Sequence, residues 1–261
     1  MLTLQLAFAL VKGFCVAEPV SRRDRIRAAT ITEIKDTARA ILVSEGPAGL
    51  TLRAIAREMG MSAPALYRYF ESREELLQDL VTDLYAEVST AMETARDAEP
   101  ADAAPARLRA VSRAFRAWAT SHPAEFALVF GSRRLPSPTE EPGGHSRFGG
   151  VFGGLIAQIY RAKPFPIPAD DEISPELRAQ LAEFGAKLPV PLPDGVTQVF
   201  LSCWIRLYGI VSMEVFGQLG FALDDVEPMF EAELRGLGVL LGVAEDYRPP
   251  AVSGKSSAQD A

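Results

Sequence analysis

The chain has 261 residues, 48% of them hydrophobic, with a formal charge of −7 and two cysteines. That apolar content is enough for a real core in one large domain or two ordinary ones. Two cysteines exclude a disulfide framework, and no Cys/His cluster has metal-ligand spacing, so neither a metal nor another cofactor is expected.

Residues 1–20 form an apolar extension. The run Leu2 to Val11 looks like the core of a signal peptide, but no Lys or Arg precedes it and it is too short to span a bilayer. It reads as an extension or an upstream start, with the chain cytoplasmic. Ser21 to Arg27 (SRRDRIR) carries four arginines, and is either a solvated tail or an arm that lies along a nucleic-acid groove. Thr30 with Glu33 forms a capping box for a first helix, whose inner stripe is Ile34, Ala38, Ile41 and Leu42. Gly46-Pro47 stops it.

The informative stretch is Thr51 to Arg73, TLRAIAREMGMSAPALYRYFESR. Thr51 caps a helix that buries Leu52, Ile55, Ala56 and Met59, and Gly60 ends it. Ser62 caps the next helix, with Pro64 in the first turn, where a missing N–H does no harm. Leu66 and Phe70 face inward, which leaves Pro64, Ala65 and Arg68 outward with Tyr67 and Tyr69 at the flanks. Ser72 and Glu75 make a capping box for a third helix. Two helices around a short turn are the helix-turn-helix pattern, whose second helix enters the major groove. Charge agrees: residues 21–73 carry ten Arg/Lys against six Asp/Glu, while residues 74–261 carry sixteen against twenty-seven. A basic head on an acidic body suits a protein that meets phosphate at one end.

From Ser72 to about Arg96 the spacing of Leu76, Leu77, Leu80, Leu84 and Val88 predicts a long amphipathic helix. An Ala/Pro/Asp-rich break covers 98–105. A helix from Arg107 carries the stripe Leu108, Val111, Phe115, Trp118 and Ala119, and ends at His122-Pro123. A short helix reaches Gly131. Residues 132–150 are read as a Pro/Gly-rich loop, a candidate gate for a pocket in the body, Val151 to Tyr160 as a short apolar helix, and 163–171 as a connection. Further helices run from Ser174 to Lys187, from a cap at Asp194 to Gln218, and from about Asp225 to Val243 with Asp224 and Glu227 capping. Residues 248–261 are a polar tail. No strand pattern appears, and the fold class is all-α, with a head at 21–73 and a body at 74–247.

The run GMSAPALYRYFESREELL, with TLRAIARE before it, resembles the DNA-binding domain of the tetracycline-repressor (TetR) family over Ile31 to Leu84. Phe115 to Phe130, and the segment Trp204 to Gly209, resemble a TetR subgroup marked by W-x-x-x-H-G, with Tyr208 standing where that pattern has His. The resemblance implies a homodimeric transcriptional regulator, most simply a repressor, that binds near-palindromic double-stranded DNA and is released by a small-molecule effector. A regulator that activates or needs no effector is the alternative, and a helical small-molecule binder or enzyme the distant one.

It also implies site residues. Ala63, Pro64, Ala65 and Arg68 take base-facing positions. Thr51, Ser62, Tyr67, Tyr69 and Arg73 take backbone-contacting ones, joined by the candidates Arg22, Arg23 and Arg53. Of the four base-facing residues Arg68 alone can pair guanine with two donors. Phe115, Trp118, Phe126, Phe130, Phe152, Tyr160, Trp204 and Tyr208, with Phe148, are candidates for an effector pocket, each against an ordinary place in the core. Phe200, Cys203, Leu207, Ile210, Val211, Val215, Phe230, Leu234, Leu237 and Leu241 are candidates for a four-helix dimer interface, with some of them facing the subunit's own core instead. No catalytic residue is expected. His122 reads as a helix-end residue rather than a general base.

Overall fold

The computed structural model describes residues 21–131, 144–188 and 190–249. Among them there are ten α-helices and no strand: α1 Arg22–Gly49, α2 Leu52–Glu58, α3 Ala63–Leu66, α4 Arg73–Asp97, α5 Ala104–Ser121, α6 Pro123–Phe126, α7 Gly144–Ala162, α8 Pro175–Ala186, α9 Asp194–Val215 and α10 Glu227–Leu240. The expected extension at 1–20, the gating part of the loop at 132–143 and the tail from 250 onward lie outside the described residues.

The first helix begins earlier than the sequence suggests. Ser21 Oγ accepts the Asp24 backbone N–H at 3.1 Å, so the cap is Ser21 and the basic run forms the opening turns of α1. Thr30 sits inside the helix, and its hydroxyl donates to the Ile26 carbonyl. Ser21 serves the orphan donors of the opening turn, and because no breaker lies between it and Thr30 the helix runs on through Thr30 with its N–H groups already bonded within the helix. The expected stop is real: Gly46 has φ +72°, a left-handed conformation that glycine adopts freely. A last turn containing Pro47 follows it.

Thr51 caps α2 by accepting the Ala54 N–H, and Gly60, at φ +64°, turns the chain toward α3. Ser72 accepts the Glu75 N–H, while the Glu75 carboxylate accepts from Glu71 N–H, one residue before the cap. In the body, α4, α5 and α7 pack as a three-helix core, α9 lies against α5, α8 and α10, and α6 meets α1. One continuous apolar cluster runs from Ile34 in α1 to Leu241 at the end of α10.

The Gly-rich segment from Gly144 to Gly150 is the start of α7 rather than loop. Phe148, Val151, Phe152, Leu155, Ile156 and Ile159 are all buried, and their helical spacing puts them on one side. Their burial outweighs the roughly 1 kcal/mol by which each glycine disfavours helix. Near the C-terminus Val226 rather than Asp224 occupies the cap position of α10, and Asp225 accepts the Glu227 N–H. Pro193, not Asp194, occupies the cap position of α9.

Candidate nucleic-acid interface and body cavities

The head presents α3 at the surface because its other side is nailed into the core by Leu66 and Phe70, both buried. Beyond Leu66 the chain continues as turns, with Tyr67 N–H donating to Ala63, Arg68 to Ala65 and Tyr69 to Leu66. Pro64 and Arg68 are exposed, Tyr67 is 50% exposed, and Ala63 and Ala65 are half-buried. Ser62 stands exposed at the helix start, where its hydroxyl makes no capping bond. Thr51, Arg53, Tyr67, Ser72 and Arg73 line one surface cleft together with Leu52 and Glu71. Arg22 and Arg23 are exposed in the first turn of α1. Among the described residues Arg53, Arg57 and Arg68 make no ion pair with any carboxylate, so their charge is open to solvent.

Two of the expected backbone-contacting residues already have partners. Arg73 donates to the Leu50 carbonyl at 2.6 Å and to the Pro47 carbonyl at 2.9 Å, tying the start of α4 to the turn between α1 and α2. Tyr69 is half-buried beneath the Arg27 guanidinium, which lies 5.1 Å from its ring centre and donates to the Arg68 carbonyl. Sequence reasoning missed Arg27 in this bracing role because the contact spans 41 positions.

Head and body are joined by a polar cluster. Arg39 of α1 donates to Glu87 of α4 at 2.7 and 3.2 Å and to Glu125 of α6 at 2.8 Å. Trp118 of α5 donates its indole N–H to Glu87 at 2.8 Å. Burial alone would raise the Glu87 pKa, but the hydrogen bonds from Arg39 and Trp118 outweigh it and leave the carboxyl below its ordinary value. His122 ends α5, stacked on Trp118 with its Nδ1 2.9 Å from the Trp118 carbonyl.

Among the described residues of the body, two neighbouring cavities share Phe152, Phe200 and Trp204. The first is an open aromatic chamber of about 410 Å³, lined also by Tyr85, Phe130, Phe148, Phe184 and Tyr208. The Tyr208 hydroxyl donates to the Phe130 carbonyl at 2.9 Å and its ring stacks on Trp204. The second is a narrow slot of about 40 Å³ between α5, α7, α9 and α10. Of the expected pocket residues, Phe130, Phe148, Phe152, Trp204 and Tyr208 line the chamber. Phe115, Trp118 and Phe126 are core instead: Phe115 and Phe126 are fully buried, their rings 6.2 Å apart. Tyr160 packs on Phe165, away from both cavities. Tyr85 and Phe184 were missed, since neither belongs to an aromatic cluster in the sequence.

The expected interface residues also move. Phe200, Cys203, Leu207, Ile210, Val211, Phe230, Leu234, Leu237 and Leu241 are all buried inside the subunit, and Val215 packs against the same core. Phe200, Cys203, Leu207, Leu234, Leu237 and Leu241 line the slot. Burial pushes the Cys203 thiol up to about 11. A single apolar stripe on each helix cannot serve both the subunit's own core and a partner, and here the core takes it. The outward apolar residues are others: Ile205 at 67% exposure, Met213 and Phe216 from α9 and its end, and Met229, Val239 at 64% and Leu240 from α10. By length and hydropathy α9 alone of the described helices could cross a membrane, yet its inner face is packed in the core.

The chain was compared with known proteins. A family model described as bacterial regulatory proteins, tetR family, matches residues 34–80. A second, for a tetracyclin repressor-like C-terminal domain, matches residues 108–237. HTH-type transcriptional regulators of Mycobacterium tuberculosis and Mycobacterium bovis are 34% identical over 233 residues, covering 87% of this chain and 98% of theirs. The solved structure of the regulatory protein SCO4313 is 30% identical with a TM-score of 0.64, covering 83% of this chain and 98% of its own. A tetR-family regulatory protein from Rhodococcus RHA1 shares the fold at 18% identity, with a TM-score of 0.51 over 82% of this chain and 96% of its own.

Proposed function

The chain belongs to the TetR family of bacterial transcriptional regulators, and on that premise we propose that it is a cytoplasmic, homodimeric repressor released from its operator by a small molecule held in the body. The observation that carries this reading is the pairing of a solvent-facing α3 with a head keyed to the body. Arg53, Arg57 and Arg68 are free to meet phosphate or base. Arg39 ties the helix behind them to α4 and α6.

In this reading Pro64, Ala65 and Arg68 face the groove floor, and Arg68 discriminates guanine by about 1–3 kcal/mol. Thr51, Ser62, Tyr67 and Arg53 hold the phosphates on either side. Arg73 and Tyr69 set the posture of α3 rather than reaching DNA themselves. The dimer forms through the outer faces of α9 and α10, where Ile205, Met213, Met229 and Val239 lie exposed and Gly209 has open space above it. Small residues between apolar ones let two helix pairs approach closely. Two heads then reach successive major grooves, about 34–36 Å apart. An effector acts only through its preference for one of two head spacings.

The test is capture of genomic fragments by the purified protein, with sequencing of what is retained. One near-palindromic site, lost in Arg68→Ala and in Tyr67→Ala while both variants keep their helical content, supports the reading. Retention without sequence preference at physiological salt overturns it, because phosphate neutralisation alone gives only salt-sensitive, nonspecific binding.

A further inference from the structure

We propose that the effector is an aliphatic monocarboxylate, with its alkyl chain in the slot between α5, α7, α9 and α10 and its carboxylate on Arg109. This rests on the effector-release reading above and names the class of molecule that serves it. Among the described residues lining the slot and the chamber, Arg109 is the one charged side chain. The rest of the slot is carbon, apart from Ser112, Cys203, the Trp204 indole N–H and Tyr247, and the Ser112 hydroxyl is directed to the Leu108 carbonyl.

Arg109 differs from the other arginines of its surroundings. Arg113 is paired with Glu231 at 2.7 Å, Arg116 with Glu214 at 2.6 Å, and Arg206 with Glu233 at 2.7 Å. Arg109 is half-buried and makes no ion pair or hydrogen bond among the described residues. Asp246 and Glu99 lie beyond ion-pair distance, while Arg113 and Arg248 add positive field. Burial, and then the charge of Arg113, pull its pKa below the ordinary value. A partly desolvated cation without an anion gains most from one that arrives with its own apolar tail. One unpaired cation matches one negative charge, which favours a carboxylate over a dianionic phosphate.

The size of the slot limits how much of the tail it holds as it stands. At about 40 Å³, against the roughly 150 Å³ of a cavity that admits a benzene ring, it takes only part of an alkyl chain before its walls move. Longer chains must part Leu207 from Leu237, both of which line the slot. Filling it presses on α5, which carries Leu108 and Arg109 at one end and Trp118 near the other. Trp118 holds Glu87, and Glu87 holds Arg39 of the head, so the same hydrogen-bonded chain that keys the head also receives the movement.

The experiment is titration calorimetry of the full chain with butanoate, hexanoate, octanoate and decanoate, and with octan-1-ol and octylammonium as controls, followed by the same additions to the protein bound to a captured operator fragment. Carboxylate affinity is expected to rise about fourfold per methylene until the slot is full. Arg109→Gln, checked for retained helicity, should weaken octanoate 10- to 100-fold, leave octan-1-ol unchanged, and octylammonium should not bind. No carboxylate binding, or octanoate and octan-1-ol binding alike in both proteins, overturns the proposed site. Arg109-dependent binding without release of DNA supports the site but overturns the effector role. Arg109-dependent binding by a chain that retains no operator supports the site and removes the repressor reading alone.

Discussion

Arg39→Met is the sharpest test of how the head is held. The substitution keeps most of the aliphatic stem and removes the guanidinium, but its two partners respond differently. Glu87 is partly exposed and keeps the Trp118 indole N–H at 2.8 Å, so losing Arg39 costs it only the roughly 0.2–1 kcal/mol of a surface pair. Glu125 is 4% exposed, and Arg39 Nε at 2.8 Å is its ion-pair partner. Stranding a buried carboxylate costs about 3–5 kcal/mol when no water reaches it. The Arg39 side chain is 30% exposed, so water enters where the guanidinium was and about 2–3 kcal/mol is the better figure. The sum is about 3 kcal/mol, read from urea unfolding at neutral pH as a shift of the midpoint. Arg39→Met with Glu125→Gln removes the stranded charge at nearly constant shape and should recover about 2 kcal/mol of the loss. A single variant within about 0.5 kcal/mol of the parent, or a double variant worse than the single, would refute the account of Glu125 as a charge that depends on Arg39.

Three further outcomes are expected. Arg73→Ala removes two donors from the Leu50 and Pro47 carbonyls and should lower stability by about 1–2 kcal/mol, whereas Arg68→Ala, with no partner to lose, should stay within about 0.5 kcal/mol in the same urea experiment. Ile205→Arg and Val239→Arg place a charge on the proposed dimer face and should give monomers of unchanged helicity by sedimentation; persistence of the dimer would locate the interface elsewhere. Acid should weaken the fold in a defined window. Glu87, Glu93 and Glu231 have pKa values below their ordinary level, and hydrogen bonds from Arg96 hold Asp97 at about 2. Groups shifted this way contribute fully above the ordinary carboxylate pKa and lose that contribution as pH falls through the folded value, so helicity should fall between about pH 4.5 and 2 rather than near neutrality.

The sequence by itself determined the elements that depend on neighbours within a turn or two. Thr51, Gly60 and Ser72 act on backbone groups a few residues away, so these two caps and the turn were legible before any tertiary contact was known, and so was the outward face of α3 opposite Leu66 and Phe70. The helical periodicity of the body was legible for the same reason, and glycine misled only at α7, where long-range burial of Phe148 and Phe152 outweighs a local preference. Tertiary structure decided which apolar face meets what. Phe200, Leu207, Leu234 and Leu237 carry the same pattern whether they face their own core or a partner, because periodicity records that a face is buried without recording against which surface. Ile205 and Val239 emerged as the outer face only once α9 and α10 were packed. Arg109 shows the limit most clearly: its neighbours in sequence are unremarkable for an arginine, and its lack of an anion among the described residues emerged only once folding had paired Arg113, Arg116 and Arg206 with glutamates about a hundred residues away or across the next helix, and left the opening of an apolar slot beside Arg109.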